Sequence, residues 1–104
     1  MSLSPGESAL LQVVSRLKLK VRAPPNASFA RVLPQIVKED EGLRKKVLAA
    51  LELKKVYAAH ILEHYSEKLR RGGLSPSARA WCEYRVEAAR AELRAIDEAL
   101  KLIS

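Results

Sequence analysis

His60, Glu63 and His64 are the residues of this chain best spaced for chemistry. Side chains four apart share one side of a helix, so His60 and His64 point the same way with Glu63 beside them. Paired imidazoles are a zinc-ligand set, and a nearby carboxylate can activate a metal-bound water. A working zinc centre also needs a further protein ligand and a cleft, and neither is visible elsewhere in the 104 residues. Cys82, the single cysteine, has no evident activating base, and its place on an apolar seam predicts a small buried hydrophobe. Gly72-Gly73 lacks the GK[ST] signature and preceding strand of a phosphate-binding loop, and reads as a helix stop.

The run His60-Ile61-Leu62-Glu63-His64 resembles the H-x-x-E-H motif of the inverted zinc metallopeptidases. The resemblance covers five residues of 104, and those enzymes are far larger, with a distal acidic ligand that cannot be placed here. The expectation is a non-catalytic protein with no metal site, no cofactor and no small-molecule substrate.

Charge is the stronger lead. The chain carries 19 Lys and Arg against 12 Asp and Glu, a formal net charge of +7. Residues 74–104 hold five basic and five acidic side chains, so the whole excess lies in residues 1–73. Such asymmetry attracts phosphate backbones. Arg16, Lys18, Lys20, Arg22, Lys45, Lys46, Arg70 and Arg71 are the candidate RNA or DNA contacts. No zinc finger, aromatic ribonucleoprotein motif or recognition helix accompanies them, so contact with phosphates is expected rather than reading of bases. A solvated basic face explains the same residues.

These side chains need helices to position them, and glycine and proline mark where the helices stop. Ser4-Pro5-Gly6-Glu7 is a capping box with proline at the first helical position. Leu10, Val14, Leu17 and Val21 follow as an amphipathic stripe, predicting a helix over about 5–21. Arg16 to Arg22 also alternates charged and apolar residues, so a short extended segment is the competing assignment. Ala23-Pro24-Pro25-Asn26 is a stiff connector. Ser28 is a candidate cap for a short helix over 28–38, with Pro34 restarting or kinking it. A long helix over 39–71 follows, acidic at its start and basic at its end, and Ser75-Pro76 opens the last one, over 76–103.

On the last helix Cys82, Val86, Ala89, Leu93, Ile96, Leu100 and Ile103 form one seam. Trp81, Tyr84, Ala88, Ala91, Ala95, Ala99 and Leu102 form a second stripe, nearly opposite. Either the helix touches two neighbours inside a bundle or the second stripe is an interface. Arg85 and Glu92 lie between the stripes, and an antiparallel two-fold pairing centred near Ala88 would set each against the other's counterpart. Trp81, Tyr84, Arg85, Ala88, Ala91, Glu92 and Ala95 are therefore the candidate protein interface. Asp97 and Lys101 are spaced for an ion pair. Lys54 interrupts the apolar face of the long helix and must snorkel or pair with an acid such as Glu92. Leu53, Val56 and His60 stand off that face, toward the first helix or the segment from Phe29 to Ile36.

The chain thus reads as one all-α domain over 1–104, a small antiparallel bundle of three main helices plus one short helix. The first functional expectation is an accessory nucleic-acid-binding protein or a subunit of a nucleoprotein complex. The alternative is a helical scaffold, adaptor or homo-oligomeric interaction module. One cysteine and no long uncharged apolar run fit a cytoplasmic protein without a membrane segment. Few Asn, Gln, Cys and Met beside many Lys, Arg and Glu fit a thermophile.

Overall fold

Serine and aspartate side chains start three of the four helices. The computed structural model describes residues 3–17 and 27–104, with the side chains of residues 27–29 left out. The helices are α1 Pro5–Arg16, α2 Ala27–Glu39, α3 Glu41–Arg71 and α4 Pro76–Ile103, and no strand occurs among the described residues. Ser4 Oγ accepts from the Glu7 amide at 3.1 Å while the Ser4 amide donates to Glu7 Oε1 at 3.0 Å, completing the capping box. Ser75 Oγ accepts from the Ala78 amide at 3.2 Å, so the two Ser-Pro starts act alike. Asp40 is the single residue between α2 and α3 and caps the Leu43 amide at 3.1 Å. At the far end of α3, Gly72 and Gly73 have φ of +72° and +74°, a region where a side chain would be strained.

Two boundaries differ from the sequence expectation. Helix α1 ends at Arg16, where Leu17 closes the last turn by donating its amide to the Val13 carbonyl at 3.1 Å; residues 18–26 lie outside the described residues, including the Arg16–Arg22 alternation beyond Leu17 and the proline connector. Ser28 lies within α2 instead of capping it. Pro34 sits inside a 13-residue α2 without ending it, because the buried Leu33 and Val37 on either side hold the helix against the core.

The core gathers at one end of the molecule. Leu10, Val13 and Val14 of α1, Leu33 and Val37 of α2, Leu43, Val47 and Leu51 of α3, and Ile96, Ala99 and Ile103 of α4 form one cluster. Each fully buried aliphatic side chain contributes roughly 1.5–3 kcal/mol. All four helices meet there. Gly6 lets α1 lie close against α4: a Cβ at that position would fall 2.7 Å from the Cβ of Glu98. Arg44 Nε donates to the Ile103 carbonyl at 3.1 Å, satisfying an acceptor that the last turn of α4 leaves open.

Length explains why the other end is thinner. Helix α3 has 31 residues, about 46 Å of helix, whereas α1 has 12, about 18 Å. The protein measures 51 × 28 × 22 Å, so its long axis is close to that of α3 alone. Beyond the reach of α1, Ala58 of α3 and Cys82, Val86 and Ala89 of α4 supply the buried positions of a two-helix contact.

Candidate protein-interaction surface

A channel runs between α3 and α4, and α1 fills only part of it. Near the α1 start the floor is Ala99 and Ile96, fully covered. Past Gln12 and Arg16 the channel opens into a groove of about 580 Å³, walled by Leu53, Tyr57 and Ile61 of α3 and by Arg85 and Ala88 of α4. Exposed apolar side chains collect on this bare stretch: Leu53 is 71% exposed, Tyr57 67%, Tyr84 62% and Trp81 53%. Scattered singly they would be ordinary surface residues, whereas here they lie along the same stretch of the helix pair.

The second α4 stripe is therefore divided. Ala99 is buried and Ala95 and Leu102 half-buried, while Ala91, Ala88, Tyr84 and Trp81 are exposed. The first seam behaves as its spacing requires, with Cys82, Val86, Ala89, Ile96 and Ile103 buried and Leu93 and Leu100 half-buried.

Charged groups rim the groove. Lys54 Nζ lies 3.8 Å from Glu92 Oε1, with the Lys54 side chain 21% exposed and that of Glu92 49%. This loose pair is how the apolar face of α3 accommodates a lysine. Arg85 is held differently: its guanidinium lies over the Tyr65 ring at 5.2 Å and the Trp81 ring at 5.8 Å. Its Nε is buried without a hydrogen-bond partner among the described residues, a loss of roughly 1–3 kcal/mol if nothing else satisfies it. Trp81 and Tyr84 stack obliquely, ring centroids 5.7 Å apart.

Several expected placements are corrected. Leu53, Val56 and His60 are exposed, although Leu53 shares the groove with Gln12 and Arg16 of α1. Tyr57 is exposed as well. Asp97 pairs across to Lys55 at 3.2 Å rather than with Lys101 on its own helix. Leu53 and Tyr57 were not singled out as interface residues; the off-face position of Leu53 was the available signal.

The basic candidates do not converge. Arg16 borders the groove, while Lys45 and Lys46 lie on the second turn of α3 and Arg70 and Arg71 close its last turn, about 36 Å away. Lys45 is 3.9 Å from Glu41, and Arg70 and Arg71 both pair with Glu67, exposed contacts of little energetic weight. Lys18, Lys20 and Arg22 lie outside the described residues.

His60, Glu63 and His64 are exposed on α3, with His64 edge-on to Tyr65 at 5.0 Å. No group of three or more His, Cys, Asp or Glu side chains is arranged to hold a metal ion among the described residues. No described helix is long and apolar enough to cross a membrane. Compared with known proteins, the chain matches no family model, no curated protein and no solved structure.

Proposed function

We propose that this chain is a non-catalytic helical interaction module that binds protein through the half of the α3/α4 channel left open by α1. The observation that carries this role is the exposed apolar surface along the α3/α4 pair: Leu53 and Tyr57 wall the groove, and Trp81 and Tyr84 stand on the α4 stripe that Ala88 shares with it, all four more than half exposed. Unsatisfied apolar surface of this kind favours a partner that removes it from water. The framework is an antiparallel bundle, supported by pairs whose numbers rise along α3 as they fall along α4: Arg44 with Ile103, Lys54 with Glu92, Tyr65 with Arg85. Such a hairpin is a rigid arm presenting one face.

A photo-crosslinking amino acid placed at Tyr57 or Tyr84, with Lys46 and His64 as controls, tests the role in extract of the source organism. Adducts confined to the groove positions are expected. Absence of adducts there, or equal adducts at the controls, overturns it.

The +7 charge supports a second role, contact with RNA or DNA phosphates through Arg16, Lys18, Lys20, Arg22, Lys45, Lys46, Arg70 and Arg71. It would be a diffuse electrostatic contact, since Lys46 and Arg70 are separated by most of the length of α3. A salt titration against labelled RNA and duplex DNA decides it. Steep loss of affinity with salt is expected, and no affinity at low salt ends it.

A further inference from the structure

The open groove and the Trp81 face fit each other. Beside the groove, between α1 and α4, lies a recess of about 280 Å³ whose lining includes Ser8, Ala9, Ala91 and Ala95, with Gln12, Ile96 and the Lys54–Glu92 pair beside them. The small side chains on its α1 and α4 walls leave room for an aromatic ring. Trp81 projects from the same helix at the other end of the same stripe, half exposed. Trp81 and Ala95 each stand seven positions from Ala88, and Tyr84 and Glu92 each stand four. In an antiparallel pair of identical helices, positions equidistant from the centre lie level with each other. A two-fold axis at Ala88 therefore brings the Trp81 of one copy to the small-residue recess of the other, and the reverse. One surface carries both the projection and the hollow, as an isologous interface requires.

Charge selects the same occupant. The Arg85 guanidinium lies over two rings with no carboxylate partner among the described residues, and Glu92 is half exposed with only a 3.8 Å contact to Lys54. Under the two-fold axis each Arg85 lies within a turn of the other copy's Glu92. An acidic foreign helix would satisfy Arg85 but confront Glu92; a basic one would do the opposite. A second copy supplies both matches. Residues 74–104 are also neutral, so pairing through α4 avoids setting the +7 of residues 1–73 against itself. The exposed parts of Trp81, Tyr84 and Tyr57 from two copies amount to roughly several hundred Å², a large share of the centre of an interface of about 1,600 Å².

We infer that the open half of the channel is a homodimer interface, with the Trp81 of each copy in the other's Ala91–Ala95 recess and Arg85 facing the other copy's Glu92. It rests on the interaction-module role and names the partner. Sedimentation equilibrium at micromolar concentration tests it on the purified chain. The unmodified protein sediments as a dimer, and Trp81, the one tryptophan, shifts its emission to the red as dilution separates the copies. Arg85→Glu and Glu92→Arg each weaken self-association by about 10-fold or more, because each sets like charges together twice per dimer. Mixing the two variants restores association, since both contacts are then complementary. Circular dichroism confirms that each variant is folded; if either is not, the dimer is judged by Trp81→Ala, which weakens association by a similar factor. A monomeric unmodified protein, equal association by every folded variant, or no gain on mixing overturns the inference. Groove-specific crosslinks to a different protein would then leave the module role standing, whereas their absence would remove both.

Discussion

The two halves of the α3/α4 pair are built alike and finished differently. Both carry an inner seam of aliphatic residues and alanine, and both carry a second stripe with alanine in it. In one half α1 and α2 lie over the pair, and Leu10, Val13, Leu33 and Val37 close a four-helix core. In the other the stripe faces outward, and Trp81, Tyr84, Tyr57 and Leu53 remain in contact with water. The difference teaches that a helix face can be patterned for burial along its whole length while the described short helices cover only part of it. Burial is concentrated where the short helices lie, and exposed apolar surface where they do not.

Truncation tests that division most strongly. Leu10→Ala or Leu51→Ala removes a fully buried side chain from the four-helix half and should lower unfolding free energy in urea by about 2–5 kcal/mol. Leu53→Ala, in the open half, should change it by about 0.5 kcal/mol or less, measured below the concentration at which the chain associates. Similar losses at both sites would abolish the contrast. The seat of α1 is tested by Gly6→Ala. Its new Cβ would fall 2.7 Å from Glu98 Cβ and 3.1 Å from the Ala99 backbone nitrogen, so α1 must move off α4. A loss of about 1–3 kcal/mol is expected despite the better helix propensity of alanine.

The capping serines sharpen the comparison further. Ser4→Ala and Ser75→Ala should each cost about 1 kcal/mol. Ser4→Ala should release α1 from the four-helix half and speed amide exchange there, while Ser75→Ala should loosen the start of α4 in the open half. The smallest effect is with pH. Backbone and side-chain hydrogen bonds with Ser4 hold the Glu7 carboxyl below its usual 4.5, with the Arg31 charge adding to the effect. A lowered folded-state value means the contribution is fully present above the ordinary value and lost as pH falls through the lowered one. A slight destabilisation below pH 4.5, absent in Glu7→Gln, should appear in thermal unfolding curves.

Local chemistry made much of this legible. The starts at Ser4 and Ser75, the Gly72-Gly73 stop and the α4 seam depend on interactions spanning at most a few residues, and each can be read by spacing. Lys54 with Glu92 was also within reach, because a lysine in an apolar face demands a nearby acid. Pro34 left a restart and a kink both open, since whether a proline ends a helix depends on what holds the turns around it. The role of Gly6 was hidden too: in sequence it is part of a cap, and only the approach of Glu98 and Ala99 shows why a side chain is excluded. The exposure of Tyr57 and Leu53 depends on where another helix stops.

Composition, caps and periodicity determined by themselves that this chain is helical, where most of its helices begin and which residues of α4 face inward. Those properties follow from backbone hydrogen bonding and from the 3.6-residue turn, which act over short distances along the chain. Tertiary structure decided which half of the α4 stripe is covered and that Lys55 rather than Lys101 meets Asp97. Those outcomes depend on the length and seat of α1 and α2 against a longer helix pair, and a helix's periodicity carries no record of how far its neighbour extends.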